Sequence, residues 1–172
     1  MITQKFKENV EKGLGGVVIL AGSDSDAAHI DKLTTSFRKY EIPFEVRIAS
    51  AHKQGEKLLQ LIGEYDALNG PIVYIAVAGG TDALSGTSSH VSVRPTISCP
   101  PDGLNMSCLT NPPGSSNAFI QRPENAARFV AQMFSYVNPK CREVIACERT
   151  NKISGLEKAD EEFRDRYAGG QK

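Results

Sequence analysis

Short apolar runs alternate along this chain with amphipathic ones, and that alternation narrows the folds open to it more than any other feature. Gly16 to Ala21 (GVVILA) carries no charge, the mark of a strand covered on both faces. Beyond it Ile30, Leu33 and Phe37 recur at helical spacing and predict a helix over Asp24 to Tyr40. Phe44 to Ala49 (FEVRIA) alternates as a strand does. Leu58, Leu61, Ile62, Tyr65 and Leu68 mark a second helix, stopped by Asn69, Gly70 and Pro71. Ile72 to Ala78 (IVYIAVA) reads as a third buried strand, followed by a segment of small residues from Gly79 to Ser89. Shorter strands are predicted at Thr96 to Cys99 and Ala118 to Ile120. A further helix is predicted from Pro123, with Ala126, Phe129, Val130, Met133 and Phe134 as its apolar stripe.

Strands and helices in this order build βαβ units, hence a parallel sheet with helices on both faces. At 172 residues the chain suits one domain, with a core over about 14–137 and a helical extension over 139–170. Ile145, Ile153, Leu156, Phe163 and Tyr167 fall roughly on one face of that extension, which therefore covers either its own core or a neighbouring subunit. In such sheets ligands bind in the crevice at the carboxyl ends of the strands. The three best-defined strands end at Gly22-Ser23, Ser50-Ala51-His52 and Gly79-Gly80, the most unusual spots in the chain.

Composition removes several classes of partner. Lys plus Arg and Asp plus Glu both number 20, for a net charge of zero, so no global field draws the chain to nucleic acid or an anionic membrane. The most apolar run, Pro71 to Ala78, is far short of the roughly 20 residues of a membrane helix. Met1 to Lys12 has no apolar stretch of secretory-signal type. Cys99, Cys108, Cys141 and Cys147 show no C-x-x-C pair and suit a reduced, cytoplasmic protein. No H-x-x-x-H or carboxylate-rich arrangement calls for a metal.

Three loops carry chemistry. In Gly22-Ser23-Asp24-Ser25-Asp26, a tight turn leads into a helix start, whose free N–H groups and dipole favour an anion. Ser23 and Ser25 are candidate phosphate donors and Asp26 a candidate acceptor for sugar hydroxyls; an ordinary helix cap at Ser23 or Asp24 accounts for the same residues. The loop is neither a Walker loop nor a dinucleotide fingerprint. In Ser50-Ala51-His52-Lys53, a histidine at a strand end can face the crevice, and an imidazole ordinarily exchanges protons near neutral pH. Lys53 sets a cation beside it for phosphate; a solvent-facing histidine in a capping turn is the plainer alternative. His29, inside the first predicted helix, is expected at the surface, and His90 lies in a polar loop with no role assigned. In the third loop, Ala78 to Gly86, two glycines after a buried strand let a flat ligand approach the backbone.

These loops, in this order, resemble the phosphoribosylaminoimidazole carboxylase family, which includes carbon-dioxide-using carboxylases and N-carboxyaminoimidazole ribonucleotide mutases. The likeness runs from about Val17 to Phe134 and includes G-S-D-S-D, S-A-H-K, V-A-G-G, T-I-S-C-P-P (Thr96 to Pro101), N-P-P-G (Asn111 to Gly114) and P-E-N-A-A from Pro123. It implies a three-layer, doubly wound, flavodoxin-like sheet with a long C-terminal helix. It implies His52 as general acid/base and Gly22, Ser23, Ser25, Asp26, Ser50, Ala51, Lys53, Gly79, Gly80 and Ser85 as substrate-binding residues. No cofactor is implied. The implied substrates are a phosphoribosyl aminoimidazole and carbon dioxide, in a reversible carboxylation within purine biosynthesis, and the implied assembly is a symmetric homo-octamer.

Lys53, the I-S-C-P-P run and Ser85-Gly86 favour the direct carboxylase branch. Two departures stand against it: Gly80-Thr81 where that branch usually has Arg-Ser, and Cys108-Leu109-Thr110 where it usually has Ser-Leu-Arg. A mutase remains the alternative, followed by a non-catalytic nucleotide-binding homologue. A flavin-binding or receiver domain is disfavoured, because the chain lacks ring-flanking aromatics and an acidic strand-end cluster.

Overall fold

The computed structural model describes residues 1–168. Five parallel strands, β1 (Gly16–Ala21), β2 (Phe44–Ile48), β3 (Ile72–Val77), β4 (Thr96–Ser98) and β5 (Ala118–Phe119), form one sheet in the order β2-β1-β3-β4-β5. The helices are α1 (Gln4–Glu11), α2 (Ala27–Lys39), α3 (Gly55–Asp66), α4 (Ala83–Val91), α5 (Pro123–Phe134) and α6 (Pro139–Ala168). This is the flavodoxin-like doubly wound plan, with the long C-terminal helix expected; residues 169 and 170 of the predicted extension lie outside the described residues.

Alternate side chains of the central strands supply two separate cores. Val17, Ile19 and Ala21 of β1, with Val73, Ile75 and Val77 of β3, pack under Leu33 and Phe37 of α2 and Ala127, Val130 and Phe134 of α5. Val18 and Leu20, with Tyr74 and Ala76, pack on the other face under Phe6 of α1, Leu58, Ile62 and Tyr65 of α3 and Leu84 of α4. Every residue of β1 and β3 is buried, which is why both read as continuous apolar runs.

Two local expectations are corrected, for the small-residue segment and for the α5 stripe, and two features that the sequence left unassigned appear, at the N-terminus and on β2. The N-terminal segment is a helix, capped by the Thr3 hydroxyl and seated by Phe6 and Val10. Most of the small-residue segment is helix α4, started by Asp82, whose carboxylate accepts the Ser85 N–H. In α5 the predicted stripe keeps Ala126, Val130 and Phe134, but Ala127 and Ala131 are buried in place of Phe129, which is 40% exposed. On β2, Val46 and Ile48 are exposed while Glu45 is buried. Glu45 tolerates burial because it accepts the Thr3 N–H at 2.6 Å and the Tyr65 hydroxyl, so its polar atoms are satisfied.

Helix α6 is held to the domain near its start. Cys141 is buried and Val144 and Ile145 are partly so. One turn further, Glu148 accepts from Lys39 Nζ at 2.7 Å, Tyr40 Oη at 2.7 Å and Arg128 Nη1 at 2.5 Å. Ile153, Leu156, Phe163 and Tyr167 are exposed, so that part of the stripe covers none of its own core.

Candidate active site

The carboxyl ends of β1, β2, β3 and β4 open into one crevice of about 450 Å3. β1 and β3 are neighbours there, yet the chain runs from β1 outward to β2 before crossing back, the switch point at which doubly wound sheets bind ligands. Ten of the eleven residues singled out from the sequence line this crevice: Gly22, Ser23, Ser25 and Asp26 after β1, Ser50, Ala51, His52 and Lys53 after β2, and Gly79 and Gly80 after β3. Ser85 does not. It lies fully buried in α4, where its N–H is taken by Asp82. A larger cavity, about 590 Å3 and lined in part by Lys5, Phe6, Arg38 and Phe44, lies at the opposite ends of the strands. Among the described residues, the one strand that reaches it is β2, at Phe44, so no set of convergent strand-end loops meets there.

The first wall is a short 3-10 turn, Asp24–Asp26. The Ser23 hydroxyl accepts the Ser25 N–H at 3.2 Å and lies 3.0 Å from the Ser25 hydroxyl. Ser23 therefore does cap this turn, and capping leaves both hydroxyls exposed beside the helix start that favours an anion. The second wall carries His52 and Lys53, both exposed, on the turn between β2 and α3. An imidazole and an ammonium thus face the same space as the two serines.

The floor is the loop from Ala78 to Asp82. Gly80 has φ +66°, a left-handed conformation that L side chains adopt only with strain. The Gly80 N–H donates to Asp102 Oδ2 at 2.6 Å, and the Gly80 carbonyl accepts from Asn105 Nδ2 at 2.7 Å. Asp82, 3% exposed, accepts from the Ser98 hydroxyl at 2.7 Å and donates its own N–H to Ser107 Oγ at 2.7 Å. Pro101 and Asp102 complete the crevice. They were not among the sequence candidates, although the strand-end rule that found the other loops applies equally to the end of β4.

The other histidines lie apart from this set. His29 is not a surface residue: it is half-buried, its ring against the Cys99 carbonyl. His90 closes α4, with Nδ1 3.2 Å from the Gly114 carbonyl oxygen. Burial, with the Glu124 charge adding to it, pushes the Cys99 thiol up to about 12, which leaves it a packing residue rather than a nucleophile. Among the described residues no three His, Cys, Asp or Glu side chains gather as a metal site. No helix among them is long and apolar enough to cross a membrane.

Residues 16–154 match the AIR carboxylase family. The chain belongs to this family. A phosphoribosylaminoimidazole carboxylase of Treponema denticola is 38% identical over 125 residues, covering 69% of this chain and 79% of that protein. The one of Archaeoglobus fulgidus is 35% identical over 170 residues, covering 95% and 93%. The crystal structure of Treponema denticola PurE matches with a TM-score of 0.82 at 32% identity, over 86% of this chain and 98% of that one. Further AIR carboxylase relatives include bifunctional animal enzymes, of which this chain spans little more than a third. A protein named as a probable N5-carboxyaminoimidazole ribonucleotide mutase is also similar. The chain is accordingly an enzyme of the carboxylase/mutase type that serves purine biosynthesis.

Proposed function

We propose that this enzyme carboxylates 5-aminoimidazole ribonucleotide directly with carbon dioxide, reversibly, to give 4-carboxy-5-aminoimidazole ribonucleotide. The observation that carries the proposal is the meeting of His52, Lys53, the Ser23–Ser25 turn and the Gly79–Gly80 floor in one crevice. The direct branch is favoured by Lys53 beside the histidine and by the I-S-C-P-P run that leads to Pro101. The Treponema and Archaeoglobus relatives, matched over most of their own length, are also named as carboxylases.

In this reading Ser23, Ser25 and Lys53 hold the phosphate and Asp26 accepts from the ribose. The imidazole lies over the glycine floor. The ring carbon beside the amino group is electron-rich and attacks carbon dioxide; a carbon–carbon bond forms as one C=O π pair moves to oxygen. His52 then takes the proton from that ring carbon, its C–H pair returns to the ring, and aromaticity is restored. No covalent enzyme intermediate is needed. Positioning of two bound reactants contributes several kcal/mol toward the barrier, and a placed acid/base roughly two to four powers of ten in rate.

The exposed apolar residues of α6, from Ile153 to Tyr167, support assembly of the working enzyme as a homo-oligomer, with the octamer the family resemblance implies as the expected state. The deciding experiment offers purified protein the aminoimidazole nucleotide without ATP or any other enzyme, over a series of bicarbonate concentrations. Turnover that rises with bicarbonate supports the carboxylase. Turnover only with the N-carboxylated nucleotide would replace it with the mutase.

A further inference from the structure

The floor of the crevice does not hold itself. Consecutive glycines are the most freely jointed stretch a chain can have, and Gly80 sits in a left-handed conformation. What fixes it comes from the segment after β4. Asp102 takes the Gly80 N–H and Asn105 takes the Gly80 carbonyl, so both polar groups of one peptide residue are gripped from the same short stretch. Asn105 is itself immobilised: it is 5% exposed, and its Oδ1 accepts from the Ser107 N–H at 3.1 Å and hydroxyl at 2.6 Å. Ser107 in turn accepts the Asp82 N–H at 2.7 Å. A Cβ on Gly79 would lie 3.0 Å from Asp102 Oδ2, so the carboxylate also lies close against the first glycine.

We infer that Asp102 and Asn105 are positioning residues for the carboxylation, clamping Gly80 so that the floor holds the imidazole ring in register with His52. The inference rests on the reaction proposed above. In that reading the nucleotide's phosphate and ribose are held by other residues, the Ser23–Asp26 turn and Lys53, none of which bonds to Asp102 or Asn105. Loss of the clamp therefore leaves nucleotide capture largely intact and spoils the alignment of the ring carbon. Misplacement by about 1 Å costs on the order of a hundredfold in rate.

The test compares D102A, D102N and N105A with the wild type in the decarboxylation direction, alongside amide hydrogen exchange at Gly80. Asp102 is exposed, so its variants are expected to fold; unchanged circular dichroism and Tm check this. D102A and N105A should lower kcat roughly 10- to 100-fold with KM for the nucleotide altered by less than about threefold. D102N, which keeps an acceptor oxygen, should recover most of the lost turnover. The Gly80 amide should be protected in the wild type and D102N and exchange fast in D102A. Wild-type kcat in both alanine variants, or a fast-exchanging Gly80 amide in the active wild type, would overturn the inference. Inactive wild-type protein with a protected Gly80 amide would instead refute the proposed reaction, and the positioning role with it, while leaving the clamp as structure.

Discussion

The His29 ring nitrogen Nε2 lies 3.0 Å from the Cys99 carbonyl oxygen and 3.4 Å from its sulfur, joining α2 to the end of β4. The anion-favouring turn and the floor's supporting segment are therefore tied by one side chain. Burial lowers the His29 pKa below its ordinary 6.5; the bond to Cys99 and the charges of Asp26 and Glu124 oppose this, and Lys32 adds to it.

The neutral ring accordingly contributes stability that is fully present above about pH 6.5 and is lost as the pH falls below it. Replacing His29 by Ala should cost about 1 kcal/mol at pH 8 through the unpaired carbonyl. The difference in Tm between wild type and variant should shrink on acidification to about pH 5. A difference independent of pH would show that burial does not penalise the charged ring.

His52→Asn should abolish decarboxylation of carboxyaminoimidazole ribonucleotide, by roughly 100- to 10,000-fold. Nucleotide affinity measured by calorimetry should persist, because the phosphate and ribose contacts belong to other residues. His52 is exposed, so Tm should not move. Full turnover by the variant would remove the proton-transfer role.

Glu148 predicts an acid-sensitive α6. Burial pushes its carboxyl up, but hydrogen bonds from Lys39 and Tyr40 and the charges of Lys39 and Lys152 together outweigh that and bring it down to about 2. Its contribution is present above the ordinary value of 4.5 and is lost as the pH falls toward 2. Glu148→Gln should cost about 2 kcal/mol at neutral pH, a fall of roughly 4–8 °C in Tm. The wild type should lose that advantage progressively below pH 4.5.

What the sequence showed and what it hid divide along one physical line. β1 and β3 were legible because strands covered on both faces leave no polar position to interrupt them. The crevice was legible because the ends of β1, β2 and β3 carry glycine, serine and histidine where apolar residues stop. Helix α4 was hidden because its buried face is Leu84, Ser85 and Ser88, too small to show an apolar period. Helix α1 was hidden because two residues, Phe6 and Val10, do all its packing. The buried face of β2 was not legible because Glu45 is satisfied by partners 42 and 20 residues away. Asp102 follows a strand end and was within reach of the same rule as the other loops. Its bond to Gly80 was hidden because the partner is a backbone N–H, and backbone groups have no sequence signature.

The two floor glycines should fail differently when each is replaced by alanine. A Cβ on Gly80 meets nothing within 4 Å, so Gly80→Ala suffers only from its φ of +66°. That strain is about 1–2 kcal/mol, or roughly 2–8 °C in Tm. A Cβ on Gly79 meets the Asp102 carboxylate at 3.0–3.3 Å. Asp102 is an exposed side chain and can swing away, so Gly79→Ala should leave Tm nearly unchanged while breaking the Asp102–Gly80 bond. Its loss of turnover should then resemble that of D102A, and the double variant should be no worse than either single one, because both remove the same contact. Losses that simply add would show that Gly79 acts on the bound ring directly and not through Asp102.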